Sequence, residues 1–192
     1  MGRPLTWTQG LVCLVVVGVL LLMGYSAICH WLVLNQLTSA LSNMKQLHLA
    51  TYQLALDGQT LEDKSLGWPG DTGGTFTNWA KQIVPDYLGT NDFCKLLSAT
   101  GKPVPPGKVP VSLAECGILV YAVSTNSATN TVFLSTANFT NGPEGGSPPQ
   151  PGAIPYGNHG FTVFRIAGDG AILRPRQASD LIAVGSYAPL LK

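Results

Sequence analysis

Two adjoining stretches decide the fold: LVCLVVVGVLLLMGYSAICHWLVL at residues 11–34 and NQLTSALSNMKQLHLATYQLALDG at residues 35–58. In the first stretch the only clearly polar side chains are Tyr25, Ser26 and His30. In the second, apolar side chains recur in steps of three and four, which is the pattern of one stripe along a helix. The stripe consists of Leu37, Ala40, Leu41, Met44, Leu47, Thr51, Leu54 and Ala55.

The two stretches together predict one unbroken helix. No proline occurs between Pro4 and Pro69, and proline is the residue that interrupts a helix most strongly. Asp57 and Gly58 then offer a stop, because glycine readily adopts the positive φ of a helix C-terminus. We expect the helix to run from about residue 5 to about residue 57, a length of about 80 Å. It should be apolar on all sides at first and on one side later.

The stretch at residues 11–34 is long enough to cross a membrane. As a helix it would measure about 36 Å, and the hydrocarbon core of a bilayer is about 30 Å thick. Arg3 lies on the short flank and no Lys or Arg follows until Lys45, which favours an N-terminus in the cytoplasm. Cleavage as a signal peptide stays open as an alternative, although Tyr25 fits poorly in the small-x-small pair that would end at Ala27.

Chain length and charge predict one globular domain after the apolar segment. The chain has 192 residues and a formal net charge of +1, so no basic surface indicates nucleic acid as a partner. Residues 35–192 are numerous enough to form one hydrophobic core. We expect residues 1–34 to form the transmembrane half of the long helix and residues 35–192 to form a periplasmic or extracellular globular domain.

The four cysteines fall into two pairs. Cys13 and Cys29 lie in the apolar stretch, whereas Cys94 and Cys116 lie in the polar part of the chain, 22 residues apart. The second pair could form one disulfide in an oxidising compartment. Two independent buried thiols are the equally open alternative.

After the helix the sequence predicts short helices and then strands. Thr77 and Thr90 are placed to cap two short helices. Beyond a proline-rich linker, the period becomes two at residues 116–124 and 130–136, and two further strand patterns flank the Gly-Asp-Gly turn at residues 168–170. The apolar C-terminal stretch LIAVGSYAPLLK at residues 181–192 is expected to pack against the domain. We therefore predict an α+β fold in which the long N-terminal helix packs on a small antiparallel sheet of three to five strands.

Residues with catalytic or metal-binding chemistry are sparse and scattered. His48 is interpreted as an exposed or flanking residue of the helix, and His159 as a loop residue, since no Cys, Asp or Glu near it in sequence completes a ligand set. No phosphate-binding loop, nucleophile elbow or zinc spacing occurs in the sequence. Asn138 begins the short glycosylation pattern NFT. We expect no enzymatic activity, no cofactor and no metal.

Three local patterns resemble a known family. LSNMKQLHLATYQLALDG at residues 41–58, the Trp68-Pro69 turn and the later stretch GNHGFTVFRIAGDGA at residues 157–171 follow one another as in type IV pilins and type II secretion pseudopilins. The likeness covers most of the chain, and only the first and last of these stretches are moderately specific. It implies a pilin-like fold, with a membrane-spanning first half of the long helix.

The N-terminal processing motif of that family is degenerate in this chain. The family has Gly, then Phe-Thr-Leu-Ile-Glu, then an apolar run, and its peptidase cuts after the glycine. Here Pro4 stands at the glycine position, Leu5 and Thr6 at the next two, and Gln9 at the position of the glutamate. Proline fixes φ and lacks an N–H, and a neutral Gln9 offers no ion pair to the N-terminal amine of a neighbouring subunit. The resemblance is therefore to a pilin-type helix that has lost its processing signature.

These observations lead to two alternative functions. The first is a structural pilin-like or pseudopilin-like subunit, or an accessory protein, of a type II secretion or type IV pilus system. Its expected partners are the lipid bilayer and other pilin-like subunits or secretion-system components. Its expected location is the bacterial inner membrane, as a single-pass protein with the N-terminus in the cytoplasm. The second is a non-enzymatic, membrane-anchored or secreted ligand-binding domain that uses the Pro/Gly-rich loop from Asn141 to Gly157.

Overall fold

A computed structural model describes residues 7–150 and 152–192, without the side chains at positions 8, 9, 22, 23 and 26 of the first helix. The fold is α+β, as predicted: a long N-terminal helix precedes a small antiparallel sheet of four strands. The elements in chain order are α1 (Trp7–Thr60), α2 (Phe76–Ile83), α3 (Thr90–Leu97), β1 (Ile118–Val120), β2 (Val132–Thr136), β3 (Phe161–Arg165), β4 (Gly170–Leu173) and α4 (Leu181–Val184), with 3-10 turns at Leu113–Glu115 and Pro175–Gln177.

The chain divides into two compact units, and the division falls within the sequence of α1. One unit ends at Asn35 and the other comprises Gln36–Lys192. The sequence predicts the division between residues 34 and 35. All four strands and the three shorter helices belong to the second unit, so this unit is a domain with its own hydrophobic core.

Within the second unit, α1 buries one face, as its apolar stripe predicts. Met44, Leu47 and Leu54 have 0% of their surface exposed, and burying each such side chain contributes about 1.5–3 kcal/mol. Thr51 on the same face donates its hydroxyl to the Leu47 carbonyl oxygen and accepts a 3.1 Å hydrogen bond from the indole of Trp79 in α2. The buried stripe therefore also fixes the position of α2.

The same face of α1 runs along β3. Near one end of the strand, the Thr162 hydroxyl lies 3.5 Å from the Leu37 carbonyl oxygen, to which it donates. Just beyond the other end, His48 Nε2 lies 2.9 Å from the Ile166 carbonyl oxygen. Eleven helical residues advance about 16 Å, and four strand residues advance about 13 Å. The helix and the strand therefore cover similar distances between these two contacts.

The sheet has the strand order β1-β2-β3-β4, and every neighbouring pair is antiparallel. The chain after α4 follows the free edge of β1: Leu191 N donates to the Val120 carbonyl oxygen at 3.0 Å, and Ala122 N donates to the Pro189 carbonyl oxygen at 2.7 Å. Docking of the tail is thereby confirmed. Because this edge is covered, its backbone groups are not left open to pairing with another chain.

Several local predictions were close but not correct in detail. The N-cap of α2 is Thr75, whose hydroxyl accepts from Asn78 N, and not Thr77. α3 begins at Thr90 with Gly89 in the cap position, so Thr90 is the first helical residue and not the cap. β1 occupies only the central part of the predicted stretch 116–124, whereas β2 begins two residues late and ends at Thr136, as predicted. The Gly-Asp-Gly turn between β3 and β4 is confirmed.

The predicted stop at Gly58 is wrong, since α1 continues to Thr60. Gly58 is required there for a different reason. A Cβ atom on this residue would lie 2.3 Å from the Leu66 carbonyl oxygen, far inside van der Waals contact. The chain folds back over α1 at this point, and only a glycine allows the approach.

We predict that Gly58→Ala destabilises the protein by about 1–3 kcal/mol, because the added methyl group forces the backbone at Leu66 away. Helix propensity alone predicts the opposite sign, a gain of about 1 kcal/mol. Denaturant unfolding distinguishes the two, with Gln59→Ala at the next, exposed position of α1 as the control that should change stability little. A more stable Gly58→Ala variant would contradict the close approach.

Candidate functional site: the apolar helix segment and the base of the domain

The first unit is an α-helical segment whose large apolar side chains face outward. Their exposed fractions range from 44% to 75% along residues 11–34. Contiguous apolar surface of this kind on a soluble monomer usually marks an interaction site. The exposed residues are Leu11, Val12, Leu14, Val15, Val16, Val17, Val19, Leu20, Leu21, Tyr25, Ile28, Trp31, Leu32 and Leu34.

Within the residues that the structure describes, no helix has both the length and the apolar content needed to cross a bilayer.

The predicted processing positions are at the start of the chain. Pro4, Leu5 and Thr6 lie outside the described residues, and so does the side chain of Gln9. Their roles therefore stay predictions from the sequence.

The predicted disulfide partners are both free thiols. Cys94 and Cys116 are buried, and their sulfurs donate to the carbonyl oxygens of Lys108, at 3.3 Å, and Ser112, at 3.7 Å. Burial raises the pKa of Cys116 to about 12. Since the thiolate is the reactive form, Cys116 is unreactive at neutral pH in this state. The structure contains two buried thiols, which was the second of the two alternatives.

The predicted position of His48 is wrong. It is buried, with 7% of its surface exposed, whereas an exposed or flanking position was predicted. Because its Nε2 lies within hydrogen-bonding distance of the Ile166 carbonyl oxygen, Nε2 must hold the proton and donate it. The available signal was spacing, since His48 lies in the series 44, 48, 51 and 55 of the buried face. The rings around it are Tyr52, Trp68, Phe133 and Phe164.

This environment changes the acidity of His48. Burial lowers its pKa because the charged imidazolium loses its hydration, and the hydrogen bond to Ile166 opposes the effect only in part. The neutral ring therefore joins α1 to the β3–β4 hairpin at neutral pH.

Asn138 organises the end of the sheet near Leu37. Its amide Nδ2 donates to the carbonyl oxygens of Gly157 at 3.0 Å and Gly160 at 2.8 Å, while its Oδ1 is buried without a hydrogen-bond partner among the described residues. An N-linked glycan would need this nitrogen. The NFT pattern is therefore a structural clamp in the folded chain and not an accessible acceptor.

The clamped segment also contacts α1. The Tyr156 hydroxyl donates to the Gln36 carbonyl oxygen at 3.4 Å. Gly160 lies so close to the helix that a Cβ atom would be 3.1 Å from Leu37 Cδ1. We call residues 99–102 and 152–160, which lie at this end of the domain, the base. The C-terminal half of the loop that was predicted to be functional thus belongs to the base.

A separate groove lies at the other end of the domain, beside the C-terminus of α1. It has a volume of about 570 Å³ and includes the carboxylates of Glu62, Asp63 and Asp71 in its wall. Asp63 accepts hydrogen bonds from Ser65, and Asp71 accepts two from Thr125. Two of the three carboxylates are therefore occupied in holding the loops together. Among the described residues, no group of three or more His, Cys, Asp or Glu side chains could hold a metal ion.

Compared with known proteins, the chain matches no family model, no curated protein and no solved structure.

We predict that the folded state loses stability relative to a His48→Gln variant as the pH falls through about 6.5. In the unfolded chain His48 takes up a proton there, whereas in the folded chain its lowered pKa keeps it neutral, so acid favours unfolding. The glutamine side chain of the variant cannot titrate but keeps an N–H donor. Denaturant unfolding at a series of pH values measures the difference.

The control for this experiment is His159→Gln, because His159 is exposed. It should reproduce the pH dependence of the wild type. If His48→Gln loses stability with the same slope as the wild type, the buried neutral imidazole is contradicted.

We predict that Asn138→Asp costs about 2–4 kcal/mol of folding free energy. The substitution preserves size but removes both N–H donors, leaving two carbonyl oxygens without their partner next to a carboxylate. Thermal unfolding of the variant and of Asn158→Asp, at an exposed position of the same segment, gives the comparison. Equal melting temperatures for the two variants would show that the clamp does not stabilise the base.

Proposed function

We propose that the chain is a pilin-like structural subunit or accessory protein of a type II secretion or type IV pilus system, anchored in the bacterial inner membrane. One observation supports this more than any other. Helix α1 exposes large apolar side chains throughout residues 11–34 and then buries a single stripe in a domain built on a small antiparallel sheet. The proposed membrane span rests on the whole sequence of residues 11–34, which includes three positions whose side chains are not described.

The mechanism follows from the two kinds of helix surface. Residues 11–34 require lipid or other apolar helices around them, since exposing such a surface to water is unfavourable. Residues 36–60 hold the domain outside the membrane. In lipid, packing between helices depends on close contact and on polar groups that pair across the interface. A neutral Gln9 supplies a hydrogen bond and no charge, which suits a minor or unprocessed subunit better than the principal subunit of a filament.

The alternative, a ligand-binding domain that uses the loop from Asn141 to Gly157, has less support. Asn141 is buried: its backbone N–H donates to the Tyr121 hydroxyl at 2.9 Å, and its side chain donates to the Ser186 carbonyl oxygen at 3.3 Å. The Tyr156 hydroxyl donates to the Gln36 carbonyl oxygen of α1. These side chains hold the loop against the domain and are not directed to a ligand.

We predict that the full chain, expressed in a Gram-negative host, sediments with the inner membrane and resists extraction at alkaline pH. The matched control is residues 36–192 with a separate secretion signal, which should be recovered in the soluble periplasmic fraction because its core is complete without residues 11–34. Recovery of the full chain as a soluble protein, whether intact or shortened by a signal peptidase, would overturn the proposed anchor.

The same membranes test assembly. Cys13 is an exposed residue of the apolar segment and serves as a natural crosslinking probe. If helices of neighbouring subunits pack together, mild oxidation should give a disulfide-linked dimer that is lost in Cys13→Ser. A membrane-bound chain that gives no dimer in the wild type would retain the anchor but would contradict packing between copies at this position.

A further inference from the structure

The base of the domain lies close in the chain to the end of the apolar segment. Leu34 is the last residue of that segment, and Gln36 follows two residues later. Two residues span at most about 7 Å of chain. Tyr156 donates to the Gln36 carbonyl oxygen, and the close approach of Gly160 is to Leu37. The residues that contact the base therefore begin within about 7 Å of chain from the end of the apolar segment.

The base is held in place and is not a freely moving loop. Asn138 fixes the carbonyl oxygens of Gly157 and Gly160. Ile154 packs on the other base segment, where a Cβ atom on Gly101 would lie 3.3 Å from Ile154 Cγ2. The two segments thus form one surface.

The composition of this surface fits a lipid interface. No Asp, Glu, Lys or Arg occurs between residues 145 and 164. Ile154 leaves 54% of its surface exposed although it belongs to a packed loop. The exposed apolar side chain of this loop is Ile154, since Tyr156 is buried and its hydroxyl donates to the Gln36 carbonyl oxygen of α1.

Charged side chains occur beside the uncharged segment 152–160, and one of them, Lys102, belongs to the base itself. Lys102 follows Gly101 directly, and Arg174 follows Leu173, whose carbonyl oxygen would be 3.0 Å from a Cβ atom on Gly160. Glu115, two residues before Gly117, which packs on Ala99, adds a carboxylate near these residues in the chain. Lys102 and Arg174 are cations of the kind that bind the phosphates of lipid headgroups.

We propose that the base, residues 99–102 and 152–160, rests on the headgroup layer of the bilayer, with the Ile154 side chain inserted among the lipids. This inference rests on the proposed function, since it requires α1 to be anchored. The domain then has a second contact with the membrane besides its helix, and its orientation is restricted by the lipid surface.

Spin labels on the full chain in vesicles of phosphatidylglycerol and phosphatidylcholine test the proposal. The labels are placed at Ile154→Cys and, as the matched control, at Ile182→Cys in α4, which is 94% exposed. Cys13 and Cys29 are replaced by serine, while Cys94 and Cys116 are buried. We expect the label at position 154 to collide several-fold less with a water-soluble nickel chelate, and more with oxygen, than the label at position 182.

A third label, at Leu20→Cys in the apolar segment, separates the two proposals. If position 20 is in lipid and position 154 is as accessible to the nickel chelate as position 182, the contact of the base is refuted and the anchor stands. If position 20 is in water, the anchor fails and the inference fails with it. Should Ile154→Cys not fold, His159→Cys on the exposed side of the same segment gives the same readout, with protection supporting the contact and free accessibility refuting it.

Discussion

The second unit depends on the burial of one face of α1. Met44, Leu47 and Leu54 have no exposed surface and belong to the hydrophobic core of this unit, together with side chains of the sheet and of α2 and α3. Trp79 shows the consequence, because its indole has no exposed surface and is satisfied only by the Thr51 hydroxyl of α1. A domain of this design needs its helix in order to fold, since removing the helix would leave both an apolar face and a buried donor without partners.

The β3–β4 hairpin links α1 to the C-terminal helix α4 by hydrogen bonds on both sides. At its near side, the Ile166 carbonyl oxygen accepts from His48. At its far side, the Arg165 guanidinium binds the carbonyl oxygens of Ala183 and Val184 and the Asp169 carboxylate. Because α4 is a single turn, its last carbonyl groups have no partners within the helix, and the arginine supplies them. The β3–β4 hairpin therefore connects α4 to α1.

Sequence periodicity predicted the elements that local pattern controls. The unbroken helix and the Gly-Asp-Gly hairpin required only spacing and the absence of proline. The errors occurred where a distant segment determines the outcome. Gly58 is not a stop because Leu66 folds back on it, and His48 is buried because the Ile166 carbonyl oxygen and three aromatic rings from other elements surround it. The spacing of His48 places it on the buried face, but the identity of its partner, like that of Leu66, has no signature in the neighbouring residues.

The same limit applies to the candidate site, where Asn138 matched a modification pattern but its environment makes it a clamp. Its two acceptors are 19 and 22 residues away, and no local rule connects them. The exposed segment of α1, by contrast, was evident from the sequence, because an apolar surface on every side of a helix is a property of composition alone.

The composition of that segment also indicates the solvent it requires. Residues 11–34 include six valines, and valine is a weak helix former in water because its branched side chain loses freedom against the preceding turn. Helices in water gain most of their stability from packing one face, and the outward-facing valines of this segment have no such partner among the described residues. In lipid the balance changes, since unpaired backbone groups cost several kcal/mol each and a helix satisfies all of them internally. Under the proposed function, the bilayer therefore supplies the reason for helical structure in residues 11–34, whereas the buried stripe supplies it in residues 36–60.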